Sequence, residues 1–488
     1  MGAAEHRRRL VSLAYPVYFE LLAGVTAGII NMVWVTRLGG DAVAAVAVAT
    51  NVENLLLGVI LVAGSGTTVL VARARGAGDS VAMCSAVRGG WVLWGLVTPV
   101  VAIGGYLCRE PLAHLVLGGS GGDSLLLTTG YFSIALPGIA VFFATNVVDG
   151  ILKGAGDTRT PMKLAILANG LILGLDPLFI LGFDLGVRGA AIATVLGRTV
   201  ALISGFVALH RNGTLRQATQ ATQATQATQA TQAAQAAQAA QVAQRSPNRV
   251  GSLSADVRRV AATGLPMSAD FVARMAGALA LVAVVARIGV SEVAAYGIAA
   301  KAMYIATMAF YAIRQAASIR TAHLLGAGRD ERRAIGRQAL LLAGWLGLTA
   351  MLTLLAAGPW IMRVFGGEGE VAEAGTLYLR CLGPYLVLLA CFVALGGVFE
   401  GSGGSPALAR ITACGVALQL ALAYGLSGSG LPGICLAMAL AMALQCAAIA
   451  RMYRRTEHPK ATDRDDNNRV RIAVAERHDG QARERAES

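Results

Sequence analysis

The chain has 488 residues, 55% of them hydrophobic and 14% charged, with a mean hydropathy of +0.59. Soluble domains carry roughly 25% charged residues, so the composition excludes an ordinary soluble protein; the absence of alternating polarity excludes an outer-membrane barrel, leaving a helical membrane protein. The net charge of +13 gathers in particular loops and in the tail after residue 451, which is the pattern of the positive-inside rule and argues against nucleic acid as a partner.

The chain opens with EHRRRLVSLAYPVYFELLAGVTAGII. This apolar run is longer than the roughly 7–15 residues of a signal-peptide core, and no clean cleavage site follows. It reads as the first membrane span, with Arg7, Arg8 and Arg9 holding its start in the cytoplasm. Spans of about 20 apolar residues follow, at roughly 12–35, 42–70, 88–107, 126–152, 162–182 and 186–209. A second set is expected at roughly 262–286, 293–322, 337–358, 374–399, 407–426 and 430–451.

Alternate loops are rich in cations: Arg73, Arg75 and Arg88; then Lys153, Arg159 and Lys163; then Arg329, Arg332, Arg333 and Arg337. These loops and both termini are expected on the cytoplasmic side of the inner (plasma) membrane. Between the sixth and seventh spans lies a Gln-Ala-Thr tripeptide array, too polar to bury a core and read as a linker. The expected divisions are a six-helix lobe at 1–209, a cytoplasmic low-complexity linker at 210–257, a second six-helix lobe at 258–453 and a charged tail at 454–488. The cysteines at 84, 108, 381, 391, 414, 435 and 446 show no metal spacing and read as small core residues.

The chain contains itself twice. RRLVSLAYP lies over VRRVAATGLP with Pro16 on Pro266, an offset of 250, which also brings Arg37 onto Arg287 and GAG at 76–78 onto GAG at 326–328. Further on the offset is 247, with Pro137 on Pro384, Gly150 on Gly397, and Gly154 and Gly156 on Gly401 and Gly403. Each half holds an even number of spans, so the repeats are parallel, a plan found in transporters that rock two bundles about a central site. No G-x-x-x-x-G-K-[ST] occurs, so transport is expected to run on an ion gradient or on the substrate's own gradient.

Ionisable residues within spans are costly and mark function. Asp176 stands about 22 Å into its helix from Pro161, with Asn169 on the same face; it is either a proton carrier or a structural cap of the turn at Pro177. Asn146 and Asp149 share a face, with Asp149 either functional or interfacial. Glu20 and Asp270 each follow the matched Pro by four residues. Asp270 has Arg274 as an i+4 partner, whereas Glu20 has none in its helix and shares a face with Asn31. Glu400 is expected to cap or solvate the loop beside it. Lys301 and Arg314 would repel protons or cations unless paired.

LKGAGDTRTPMK followed by Asn169 and Asp176, TRLGGDAVAAVAVA after the first span and AAYGIAAK in the eighth resemble the multidrug and toxic compound extrusion (MATE) transporters, over about residues 8–453. The resemblance implies an all-α membrane protein whose two six-helix lobes flank a central cavity. It implies an antiporter that exports organic, cationic or amphiphilic compounds in exchange for H+ or Na+, with no cofactor, acting as a monomer. Matched by position, Asp176 keeps the fifth-span acid, Asn146 or Asp149 falls in the fourth-span Asn region, and Thr194 at the sixth-span Thr. The usual first-span acid is replaced by Asn31, which leaves proton coupling to Asp176 with Asp149 or Glu20. The seventh-span acid of the sodium-coupled branch is replaced by Arg274, and the tenth-span acid is missing, so a proton gradient is expected ahead of Na+. The alternatives are a flippase of a lipid-linked precursor in the same superfamily, and a membrane scaffold or enzyme. Histidines at 6, 114, 210, 323, 458 and 478 lie apart, which speaks against the last.

Overall fold

The computed structural model describes residues 2–116, 122–211, 252–364 and 369–455, and no strand occurs among them. The first half comprises α1 (Ala3–Thr36), α2 (Gly40–Ala77), α3 (Ser80–Leu107), a short α4 (Arg109–Val116), α5 (Asp123–Gly154), α6 (Arg159–Pro177) and α7 (Gly186–Arg211). The second comprises α8 (Leu253–Val285), α9 (Val290–Gly326), α10 (Arg332–Val364), α11 (Gly369–Cys381), α12 (Gly383–Ser402), α13 (Ser405–Leu426) and α14 (Gly430–Arg455). Among the described residues, eleven stretches are long and apolar enough to cross a membrane. The last, Ser405–Arg454, turns at Ser427–Ser429 so that α13 and α14 pack on each other, which makes twelve spans.

Two expected boundaries are corrected. The tenth span, expected at 374–399, breaks at Leu382 into α11 and α12, with Pro384 in the first turn of the latter, where a residue without an N–H is tolerated. Helices also outrun their apolar stretches: α2 continues to Ala77 and carries Arg75 in its last turn, a position the helix dipole favours for a cation. The Gln-Ala-Thr array and the tail beyond Arg455 lie outside the described residues, whereas α7 reaches Arg211 and α8 starts at Leu253, both inside the stretch expected as linker.

The duplication is visible as the same close crossing made twice. In the first half α5 crosses α2 where a Cβ on Gly150 would lie 2.5 Å from the Gly64 carbonyl oxygen. In the second, α12 crosses α9 where a Cβ on Gly397 would lie 2.1 Å from the Arg314 carbonyl oxygen. Neither position admits a side chain without moving backbone. The loop after α5 ends in Gly156 at φ +80°, and its twin Gly403 stands at φ +89°, a left-handed cap that favours glycine. Asp157 then accepts from the backbone N–H groups of Arg159 and Thr160 at 3.1 and 3.0 Å, capping α6. The GAGDTRTP stretch is thus a helix-to-helix joint.

Contacts between the halves gather on the face that carries the N-terminus. Leu10, Ala14 and Val17 of α1 belong to the second half's core, and Val69 and Ala72 of α2 pack with Ile319 and Ala322 of α9. The GAG pairs close this face with near two-fold symmetry: a Cβ on Gly76 would lie 1.9 Å from the His323 carbonyl oxygen, and one on Gly326 2.0 Å from that of Arg73. Arg88 of α3 donates from Nε to Asp256 of α8 at 2.8 Å, and His6 Nε2 stands 2.7 Å from Glu331 Oε2. Toward the other face α2 and α9 each show an exposed stripe, and the boundary between the halves is open there.

Candidate functional site

Pro177 has no N–H to give the Leu173 carbonyl, and the chain passes into a single π turn, Leu178–Gly182, instead of continuing as regular helix. Asp176 sits at that break and is wholly buried. Its partner is Asn31 of α1, whose Nδ2 donates to Oδ2 at 2.8 Å, while Oδ1 is buried without a hydrogen bond. The alternative of a cap on the turn is not what is seen, since Oδ2 is bonded to Asn31 of another helix and Oδ1 has no hydrogen bond. Asn31, the residue that replaces an expected acid, is thus in direct contact with the acid that remains.

Glu20 and Asp149 form a separate group nearer the closed face. Glu20 Oε1 accepts from Lys153 Nζ at 2.6 Å, both side chains being nearly buried, and Glu20 Oε2 has no partner. Asp149, half-buried one turn before Lys153, lies within electrostatic reach of both. Lys153, counted above among loop cations, is corrected to a buried residue of α5's last turn. Two acids and one ammonium leave this group one negative charge in excess when all are ionised. Eleven residues of α1 separate Glu20 from Asn31, about 16 Å, so the shared face holds two sites.

Of the remaining first-half candidates, Thr194 lines a small pocket together with Glu53, Tyr131, Phe142 and Arg198, among others. Tyr131 donates to Glu53 at 3.2 Å, and the Arg198 guanidinium lies 3.9 Å from the Phe142 ring centroid, a cation–π contact. Thr194 bonds back to the Ala190 carbonyl at 3.0 Å and Asn146 to that of Phe142 at 2.9 Å. Both satisfy themselves within their own helices. Asn169 is half-buried and makes no side-chain hydrogen bond among the described residues.

In the second half Asp270 accepts from Arg274, Arg314 and Thr412. Arg314 also reaches Glu400 Oε1, from Nε at 3.0 Å and Nη2 at 2.6 Å. Glu400, expected to cap or solvate the loop beside it, is corrected to a buried partner of this quartet, because α12 crosses α9 closely enough to bring it onto Arg314. Burial alone would raise the Asp270–Arg314 pair's energy, and four matched charges with hydrogen bonds offset it. Lys301 takes no part: it is exposed on α9 and makes no ion pair or hydrogen bond among the described residues.

The residue pairs just described join α1 to α6, α1 to α5 and α9 to α12, and each half repeats one helical plan. The MatE family model matches residues 16–178 and 266–425. The chain belongs to the MatE family. The two matched stretches begin at the equivalent prolines, Pro16 and Pro266, so each half is one MatE unit. The probable multidrug resistance protein NorM of Thermotoga maritima is 25% identical over 412 residues, 82% of this chain and 81% of its own length. The FAD transporter of Shewanella oneidensis is 26% identical over 216 residues, covering 43% of this chain and 47% of its own. Among solved structures, a multidrug resistance MatE transporter in an outward-facing conformation aligns with a TM-score of 0.79 at 20% identity, over 92% of this chain and 96% of that one. A transporter from Pyrococcus furiosus, described as having a binding pocket of reversed polarity, aligns with a TM-score of 0.79 at 21% identity over the same shares. At these identities the likeness to the structures establishes the fold: twelve spans in two lobes.

Proposed function

We propose that the chain is a secondary antiporter that exports amphiphilic organic compounds in exchange for protons by alternating access. In this reading it works as a monomer in the plasma (inner) membrane with both termini in the cytoplasm, and it needs no bound cofactor. The observation that carries the proposal is the 2.8 Å bond between Asn31 and the buried Asp176.

An ionised carboxylate only accepts hydrogen bonds, so Asn31 must present its amide N–H. That engages Oδ2 and leaves Oδ1, buried and unpartnered, as the oxygen that takes a proton. Protonation removes the cost of a buried charge and converts a charge-assisted hydrogen bond into a weaker neutral one, loosening α1 from the break after α6. Deprotonated Asp176 favours cargo binding from the cytoplasm; protonation from outside releases the cargo outward. Such a carboxylate supplies the differential affinity between access states that any coupled ligand must have.

Relatives named as multidrug resistance and multidrug export proteins support organic cargo, and one named as an FAD transporter supports a wide range of it. Sodium is the less favoured ion, since the second-half acids already hold guanidinium groups. The test is pH-gradient-driven dye transport in proteoliposomes, wild type against Asp176→Asn. Loss of gradient dependence with dye binding retained is expected, and undiminished coupling in the variant would sink the proposal. Asn31→Asp restores a second acid and is expected to steepen the dependence on the gradient.

A further inference from the structure

The offset of 250 places Val69 on Ile319, and these two residues pack together across the lobe boundary. Ile319 and Lys301 are 319 − 301 = 18 residues apart, five full helical turns, so they point the same way about 27 Å apart. The same step back from Val69 lands on Asn51. Exposure follows this phase: from Ser291 to Gly326, only Ala294, Gly297, Lys301 and Tyr304 are exposed. On α2 three of the four matching positions, Ala44, Asn51 and Asn54, are exposed as well, Ala47 is half-buried, and Thr50, Leu55 and Val59 are exposed beside them. These stripes are therefore the facing walls of the cleft and not a lipid surface.

Among the described residues, Lys301 is the one charged side chain that is exposed ten or more residues from either end of its spanning helix. The other deep charges are not exposed: Glu20 pairs with Lys153, Arg274 and Arg314 with Asp270 and Glu400, Glu53 accepts from Tyr131, Arg198 is half-buried over the Phe142 ring, and Asp149 is half-buried beside Lys153. Asp176 is wholly buried behind Asn31. In an open cleft an ammonium group is solvated. If this half of the cleft closes as the other half has closed, Lys301 loses its water, and an unpaired buried charge is strongly unfavourable. A cationic or neutral cargo would leave that charge unmatched, whereas an anionic one would match it.

We propose that the cleft takes amphipathic organic anions, with Lys301 binding their carboxylate, sulfonate or phosphate group. Asn51 and Asn54 donate amide hydrogens from the facing wall, and Tyr304 offers an aromatic surface one turn away. The proposal rests on the transport reading and reverses the cargo charge expected from the family resemblance.

The test is equilibrium binding to the purified full-length protein in nanodiscs at low salt, followed by fluorescence anisotropy. The probes are fluorescent carboxylate, sulfonate and phosphate-ester dyes beside quaternary-ammonium dyes of similar size. Wild type is expected to bind at least one anionic class. Lys301→Gln should raise its Kd about tenfold (about 1.4 kcal/mol), and Lys301→Glu should reverse the charge preference. Lys301 is exposed, so neither change disturbs packing. Binding of cations alone, binding of no anionic class, or an unchanged Kd in Lys301→Gln would overturn the proposal. Retained anion binding with no gradient-driven transport would instead count against the antiport reading and leave this one standing.

Discussion

Gly76→Ala is the sharpest probe of the closed face. The added Cβ would lie 1.9 Å from the His323 carbonyl oxygen and 3.1 Å from the Ala327 nitrogen, so backbone in the other lobe must move. Overpacking of this kind costs about 1–3 kcal/mol. Alanine also stabilises a helix by about 1 kcal/mol relative to glycine, but two bundles that rock as rigid bodies keep α2 helical throughout, so that gain cancels in their difference. The state closed on the N-terminal face should therefore lose population to its alternative by roughly 5- to 150-fold. Gly95→Ala, where no atom lies within 4 Å of the new Cβ, is the control. Spin labels at Ala44 and Ala294 in a cysteine-free background, read by pulsed electron resonance, should show a new, shorter distance in Gly76→Ala and none in Gly95→Ala. An unchanged distance distribution in Gly76→Ala would refute the reasoning that this glycine contact sets the access equilibrium.

Other outcomes follow from the ion pairs. Arg314→Met strands the buried Glu400, while Asp270 keeps Arg274 and Thr412, and should cost about 3–5 kcal/mol, read as a lower Tm and poor recovery on size exclusion. Adding Glu400→Gln, which leaves the Asp270–Arg274 pair intact and neutral, should restore most of that loss. Arg88→Ala leaves the buried Asp256 with Ser85 as a remaining donor, and should lower Tm through a loss of about 1–3 kcal/mol, with faster labelling of a cysteine placed at Ala82. Lys153→Met leaves Glu20 and Asp149 uncompensated and is expected to be tolerated far better when Glu20→Gln is added, in the same Tm assay.

Much of this was legible in the sequence because spans and repeats are local or periodic signals. The apolar lengths located the helices, the matched prolines and glycines exposed the duplication, and Asp176 stood out as a deep acid. The pairings were not legible. Lys153 meets Glu20 across 133 residues and Arg314 meets Glu400 across 86, distances over which helical periodicity carries no information. Lys153 could have been suspected from its i+4 spacing to Asp149, the one local sign that α5 runs on past its apolar stretch. The break at Leu382 escaped notice because Pro137 and Pro384 are equivalent, yet only the second lies beside a helix boundary: α5 carries its proline inside an unbroken helix.

The second-lobe quartet has a consequence for how the membrane potential acts on the protein. Asp270 and Glu400 against Arg274 and Arg314 sum to zero, and all four are tied together. A single charge carried through the full potential does work of about 2.3 kcal/mol per 100 mV, but a neutral cluster moved as a body does almost none. When that lobe tilts, its buried ions are electrically silent, and among the described residues of that lobe the deep charge left to feel the voltage is Lys301.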